Sequence, residues 1–129
     1  MNERNELGFE RLIVYQRAKT YAILIYSMLK NFPIEEKYAL CDQLRRASVS
    51  VVSNIAEGTS RNTLKEKIHF LEISYGSLME VLCQMEISKE LNYITEKQLK
   101  DIENEITIIA KQLSKLRTTL SNSSLHSKP

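Results

Sequence analysis

Leu99-Lys-Asp-Ile102-Glu-Asn-Glu-Ile106-Thr-Ile-Ile109-Ala-Lys-Gln-Leu113-Ser-Lys-Leu116-Arg-Thr-Thr-Leu120 sets its apolar residues at alternating steps of three and four. That spacing draws one stripe down one side of an α-helix and leaves polar residues on the other. Thr95-Glu-Lys-Gln98, just upstream, has the spacing of a capping box, in which the first and fourth residues satisfy each other's backbone N–H groups. The stretch predicts a helix over 96–120 whose stripe must be covered by other elements.

Three further segments offer that cover. Thr63-Leu-Lys-Glu66 has capping-box spacing and opens a segment with Ile68, Leu71, Tyr75, Leu78, Leu82 and Met85 in step, closed by Asn92. Cys41, Leu44, Ser48, Val51 and Ile55 form a seam of smaller residues that ends at Gly58. Tyr15, Ala18, Ala22, Ile25, Leu29 and Phe32 form another, ended by Pro33. The expected helices run over about 9–31, 35–57, 63–91 and 96–120, in one domain spanning 1–120. The polar tail 121–129 is expected to be disordered. Short connections between long helices force neighbours to run antiparallel. The fold class expected is all-α, an up-down-up-down four-helix bundle.

Composition agrees. The 129 residues include three Gly and two Pro, too few for the turns of a sandwich or a doubly wound sheet. A formal charge of +2, from 18 Lys and Arg against 16 Asp and Glu, does not by itself mark a nucleic-acid binder. The N-terminal residues lack an apolar signal core and no run approaches 18 apolar residues, so no membrane partner is expected and the cytoplasm is the expected location. Cys41 and Cys83 have no CxxC partner and no adjacent His, and read as reduced core residues.

Two features exceed the needs of a lone bundle. The first helix carries a second apolar stripe, Val14, Tyr21, Leu24 and Met28, and the third carries Phe70 and Ile73 off its seam. Solvent-facing flanks are normally charged. These six residues are candidates for a homo-oligomer interface, the alternative being a wide core-facing stripe.

The stretch from Phe9 to Ile94 resembles a known family. The matching residues are Leu12-Ile-Val-Tyr-Gln-Arg-Ala18, then Phe32-Pro33 with Glu36, Tyr38 and Leu40. The most specific block is Gln43-Leu-Arg-Arg-Ala-Ser-Val-Ser-Val-Val-Ser-Asn-Ile-Ala-Glu-Gly58, followed by Phe70-Leu71, Gly76-Ser-Leu78 with Glu80, and Leu91-Asn-Tyr-Ile94. The family is that of the four-helix-bundle proteins encoded in intervening sequences of bacterial 23S rRNA genes. Tyr15 stands where a Trp is usual, and Ser74 where Ala is common. The resemblance implies a left-handed bundle assembling into a ring-like homo-oligomer, a homopentamer in some members. It also implies kinship with the accessory protein of diversity-generating retroelements, a basic pentamer that associates with a reverse transcriptase and its nucleic acid. Most members have no established activity.

Chemistry-bearing residues are few. Gln43, Arg46, Ser50, Asn54 and Glu57 are spaced along one face of helix two. They form a polar ridge that reads either as an interface network or as a solvated face. Gly76, inside helix three, is disfavoured there by about 1 kcal/mol against Ala and reads as a close helix contact. Glu66-Lys-Ile-His69 is half of a di-iron motif, but no second Glu-x-x-His exists, so no metal or other cofactor is expected. With no nucleophile–His–acid pattern and no Gly-rich phosphate loop, neither catalysis nor a small-molecule substrate is expected.

Charge is unevenly spread. Residues 11–34 hold Arg11, Arg17, Lys19 and Lys30 with no acid, and residues 106–129 hold Lys111, Lys115, Arg117 and Lys128 with none. Residues 72–105 hold eight acids against Lys89, Lys97 and Lys100. Such opposition fits complementary contacts between helices or subunits. It fits equally a basic rim for phosphates. Arg45, Arg46, Arg61, Lys65, Lys111, Lys115 and Arg117 are the candidate nucleic-acid contacts. The expected function is a non-enzymatic homo-oligomeric scaffold that associates with RNA or an RNA-processing partner. The alternative is a nucleic-acid-binding accessory factor that uses the basic surface of the oligomer on RNA or DNA.

Overall fold

The computed structural model describes residues 8–127, with side chains to 123. Four α-helices, α1 (Ile13–Leu29), α2 (Leu40–Thr59), α3 (Leu64–Glu90) and α4 (Glu96–Ser127), make up the fold, with no strand among the described residues. One-turn 3-10 helices at Phe9–Arg11 and Ile34–Glu36 precede α1 and α2.

The bounds differ from the sequence expectation in three places. The first helix is divided, because Leu12 is extended (φ −68°, ψ 129°) between the 3-10 turn and α1. The second starts five residues later, because Ala39 leaves helical geometry (φ −117°, ψ −103°) after the turn that follows Pro33. The fourth continues through Ser127, so 121–127 is helical rather than disordered; Lys128 and Pro129 lie outside the described residues. Nothing in Ser121-Asn-Ser-Ser-Leu-His-Ser127 breaks a helix already propagating, since extension adds one hydrogen bond per residue fixed.

The helix ends follow local chemistry. The Gln98 N–H donates to Thr95 Oγ1 at 3.1 Å and the Thr95 N–H to Gln98 Oε1 at 2.8 Å, a complete capping box for α4. At α3 only half the box forms, the Glu66 N–H donating to Thr63 Oγ1 at 3.2 Å. The far end of α3 closes on Asn92, at φ 64°. The Asn92 N–H reaches the Lys89 carbonyl and the Tyr93 N–H the Ser88 carbonyl, both at 2.9 Å. This is the paired-bond C-cap that needs a left-handed residue, which Asn tolerates.

Each helix packs on the next and α4 closes against α1, while the backbones of the diagonal pairs α1–α3 and α2–α4 stay further apart across the shared core. The α2–α3 contact is the most extensive, and its pairings Gln43–Gln84 and Ser50–Ser77 run in opposite directions along the two helices. Small side chains on both sides allow it: Ala47 and Ser48 on α2, Ser74 and Ser77 on α3, all buried. Ser74 Oγ donates to the Val51 carbonyl at 2.7 Å, so its burial leaves no unpaired hydroxyl.

That close packing turns α3 relative to the expected seam. Ser74 is buried and Tyr75, expected in the core, is 43% exposed. The α4 seam from Leu99 to Leu113 is buried as its period requires, and Leu116 and Leu120 pack partly buried against it. Fully burying each large aliphatic side chain stabilises by about 1.5–3 kcal/mol. Val14 and Tyr21, expected at a subunit interface, are core residues at 5% and 2% exposure. They are therefore unavailable to a neighbouring chain. The wide core stripe accounts for them, while Leu24 is exposed and Met28 is partly buried against the core.

Candidate functional site

The polar ridge of α2 divides in two. Ser50 shares a 2.8 Å hydrogen bond with Ser77, and the Asn54 amide donates to the Ser50 carbonyl and hydroxyl at 2.8 and 3.0 Å. Buried Gln84 donates to Gln43 Oε1 and Glu80 Oε2, each at 3.2 Å. Gln43, Ser50 and Asn54 therefore belong to a network joining α2 to α3 within one chain. Arg46 and Glu57 turn outward, paired along the helix with Asp42 at 3.4 Å and with Arg61 at 2.9 Å. Exposed i,i+4 pairs of this kind contribute little.

The candidate nucleic-acid contacts do not converge on one patch. Arg45 and Arg46 lie near the start of α2, while Arg61 and Lys65 lie past its other end, roughly 20 Å along the axis. Arg45 donates to the Lys37 carbonyl at 2.8 Å and approaches Asp42 at 3.9 Å. Arg61 also lies over the Phe70 ring, 4.8 Å from its centroid. Phe70 is thus half-buried beneath a cation, whereas Ile73 remains exposed. Arg117 pairs with Glu72 at 3.5 Å. Lys65, Lys111 and Lys115 are exposed with no acid partner among the described residues.

The surroundings of two tyrosines raise the pKa values of their phenols. Tyr93 Oη donates to Glu36 Oε2 at 2.8 Å, and that bond holds the phenol above its ordinary value of 10.0. The Tyr21 hydroxyl is buried with no hydrogen-bond partner, and burial, reinforced by the Glu105 charge, raises its pKa far above normal. Glu105 is engaged by Arg17, whose Nη2 donates to Oε1 at 3.2 Å. Cys41 is buried, which pushes its thiol up, whereas Cys83, expected in the core, is exposed. His69 is exposed, its ring centroid 5.4 Å from that of Phe70 at a steep interplanar angle of 69°, and no group of three or more His, Cys, Asp or Glu among the described residues is placed to hold a metal. No described helix is long and apolar enough to cross a membrane.

Sequence reasoning missed the grooves between helices. Lys19, Ala22, Ile23, Tyr26, Val49 and Val52 line one between α1 and α2, a cavity of about 390 Å³. Ile23 is 65% exposed and both Tyr26 and Val49 nearly half exposed. A pairwise reading of two helices could have found it, since Ile23, Tyr26 and Val49 fall off the seams. On the α3–α4 side, Tyr75, Gly76, Ile87 and Leu91 lie in grooves with Glu72, Glu86, Glu90 and Glu96.

Comparison with known proteins places this architecture. A crystal structure from Bacteroides thetaiotaomicron, described as a protein with unknown function from the S23 ribosomal protein family, is 25% identical and superposes with a TM-score of 0.73. The match covers 81% of this chain and 98% of that one. None of the curated proteins compared matches the chain. The profile of the family described as 23S rRNA-intervening sequence protein matches residues 10–115, which include the whole polar ridge and every apolar seam from α1 to Leu113. The chain belongs to the 23S rRNA-intervening sequence protein family.

Proposed function

We propose that this protein is a homo-oligomeric helical scaffold that acts by association, with no catalytic step and no small-molecule substrate. The observation that carries the reading is the α1–α2 groove, where Ile23, Tyr26 and Val49 stand exposed together. Apolar side chains gathered in one groove, rather than scattered singly, mark a surface built to be covered. In this reading the helices follow the up-down-up-down course that their short connections favour, with the left-handed sense that the family resemblance implies. The assembly is a ring-like pentamer in the cytoplasm, and its partner is RNA or an RNA-processing protein. Light scattering coupled to size exclusion tests it: a mass several times 14.9 kDa is expected, and a 14.9 kDa species at all concentrations overturns it.

A second reading, a nucleic-acid-binding accessory factor, is favoured by Lys65, Lys111 and Lys115, cations that no described acid neutralises. Repetition by symmetry would multiply their field, and phosphate contacts make affinity fall as salt rises. Fluorescence anisotropy with RNA and with DNA across a salt series should show that fall, and Lys111→Glu with Lys115→Glu should weaken binding. Absence of binding at about 50 mM salt removes the reading.

A further inference from the structure

Directional contacts between the helices are unevenly shared. Ser50 with Ser77, Ser74 with the Val51 carbonyl, Gln84 with Gln43 and the Lys67 ammonium with the Thr59 carbonyl tie α3 to α2. Arg117 with Glu72 and Lys89 with Glu96 tie α4 to α3. Helix α1 has one such tie to another helix among the described residues, the clasp of Arg17 on Glu105 of α4. Its Gln16 amide reaches only back to the Glu10 carbonyl in the preceding turn. The rest of its hold is the burial of residues such as Val14, Ala18, Tyr21 and Ile25, and apolar burial is non-directional.

Helix α1 is also the shortest of the four, at 17 residues, and the one with neither a capping side chain, an acid in its first turn nor a base in its last. Those are the local contacts that steady a helix apart from its packing. Both flanks of α1 are grooved. The α1–α2 groove runs along one. On the other, Thr20, Tyr21, Leu24 and the Arg17–Glu105 pair line a cavity of about 370 Å³ against α4, whose packing on α1 is the slightest between neighbouring helices. Within reach of the Glu105 charge, the Tyr21 hydroxyl is buried without a hydrogen-bond partner. A buried donor without an acceptor penalises the closed seam and is relieved when water reaches it.

We infer that α1 is a strap that swings away from α4 as a unit when the Arg17–Glu105 clasp opens, while α2, α3 and α4 stay packed as a three-helix unit. The clasp is partly exposed on both sides, so water and salt reach it in the closed form. Opening lets the Tyr21 hydroxyl donate to water and uncovers the buried face of α1. Moving elements are drawn from the least stable end of a structure, and α1 is that end by its caps, its bonds and its grooves. The inference does not depend on the self-association proposed above.

Native-state hydrogen exchange of the full chain, read by mass spectrometry, tests it. The amides of α1 should exchange faster than those at the centres of α2 and α3. Arg17→Met and Glu105→Gln should each speed α1 exchange about two- to fivefold, the range of a partly exposed ion pair. Tyr21→Phe should slow it, since the variant removes the unpartnered hydroxyl and keeps the ring. The discriminating variant is Gly58→Ala, whose added Cβ has its nearest neighbours on α3. It should speed exchange in α2 and α3 and leave α1 unchanged, because the α2–α3 contact is intact when the strap is open. Circular dichroism establishes that each variant is folded, and light scattering reads any change of assembly separately. If Gly58→Ala speeds α1 as much as α3, α1 opens only with the whole bundle and there is no strap. Unchanged α1 exchange in both clasp variants, or faster α1 exchange in Tyr21→Phe, overturns the inference as well.

Discussion

Gly58 and Gly76 are both helical glycines, and their surroundings send the same substitution in opposite directions. A Cβ on Gly58 would stand 3.0 Å from the Phe70 Cβ and 3.1 Å from the Lys67 carbonyl oxygen, both on α3. Neither neighbour is a flexible tip, so Gly58→Ala must push the helices apart. The expected loss is about 1–3 kcal/mol, read as a lower urea midpoint. Gly76 has nothing within 4 Å of an added Cβ, so the close contact expected there from sequence does not exist within the chain. Gly76→Ala should instead raise stability by roughly 1 kcal/mol, the helix preference of Ala over Gly. Equal effects at the two sites would contradict this account. What distinguishes the two glycines is their packing, not their sequence neighbours.

At the scale of the element, the ends of α3 and α4 were legible because their signals are local. Thr95 and Gln98 complete a reciprocal box, and Thr95→Ala should cost about 1 kcal/mol with no change in oligomeric mass. Denaturation monitored by circular dichroism checks the first half and light scattering the second. Asn92 ends α3 as expected because the turn needs a positive φ, which Asn accepts and most side chains resist. The start of α2 was less legible. Ile34-Glu-Glu-Lys-Tyr-Ala39 has no helix breaker after Pro33, yet Ala39 leaves helical geometry and Tyr38 is exposed. The segment is instead tied down from a distance, through the bond of Tyr93 to Glu36.

For the whole molecule, the bond between Tyr93 and Glu36 and the buried hydroxyl of Tyr21 set a limit at high pH. Both phenols are held protonated in the fold, Tyr93 by its bond to the Glu36 carboxylate and Tyr21 by burial. A folded-state pKa raised above the unfolded value contributes stability fully below the unfolded pKa of about 10, and loses it as pH rises through the folded pKa. The urea midpoint should therefore fall between about pH 9.5 and 11, and Tyr93→Phe with Tyr21→Phe should flatten that fall. A midpoint independent of pH over that range would contradict the assignment. Tyr21→Phe alone should not destabilise at neutral pH, because the hydroxyl it removes is buried without a partner.

The sequence by itself determined the four helices, the stripe from Leu99 to Leu120 and the family, because periodicity, caps and motif spacing are properties of neighbours along the chain. It determined that α2 has a polar ridge but not that Gln43, Ser50 and Asn54 are spent on α3 within the chain. Only the tertiary structure decided that Val14, Tyr21 and Ser74 are buried while Tyr75, Ile23 and Val49 are exposed. The physical reason is that a 3.6-residue period fixes the direction of a stripe without fixing its width. How closely two helices approach, through side chains as small as Ala47, Ser48, Ser74 and Ser77, sets how far each turns towards its neighbour.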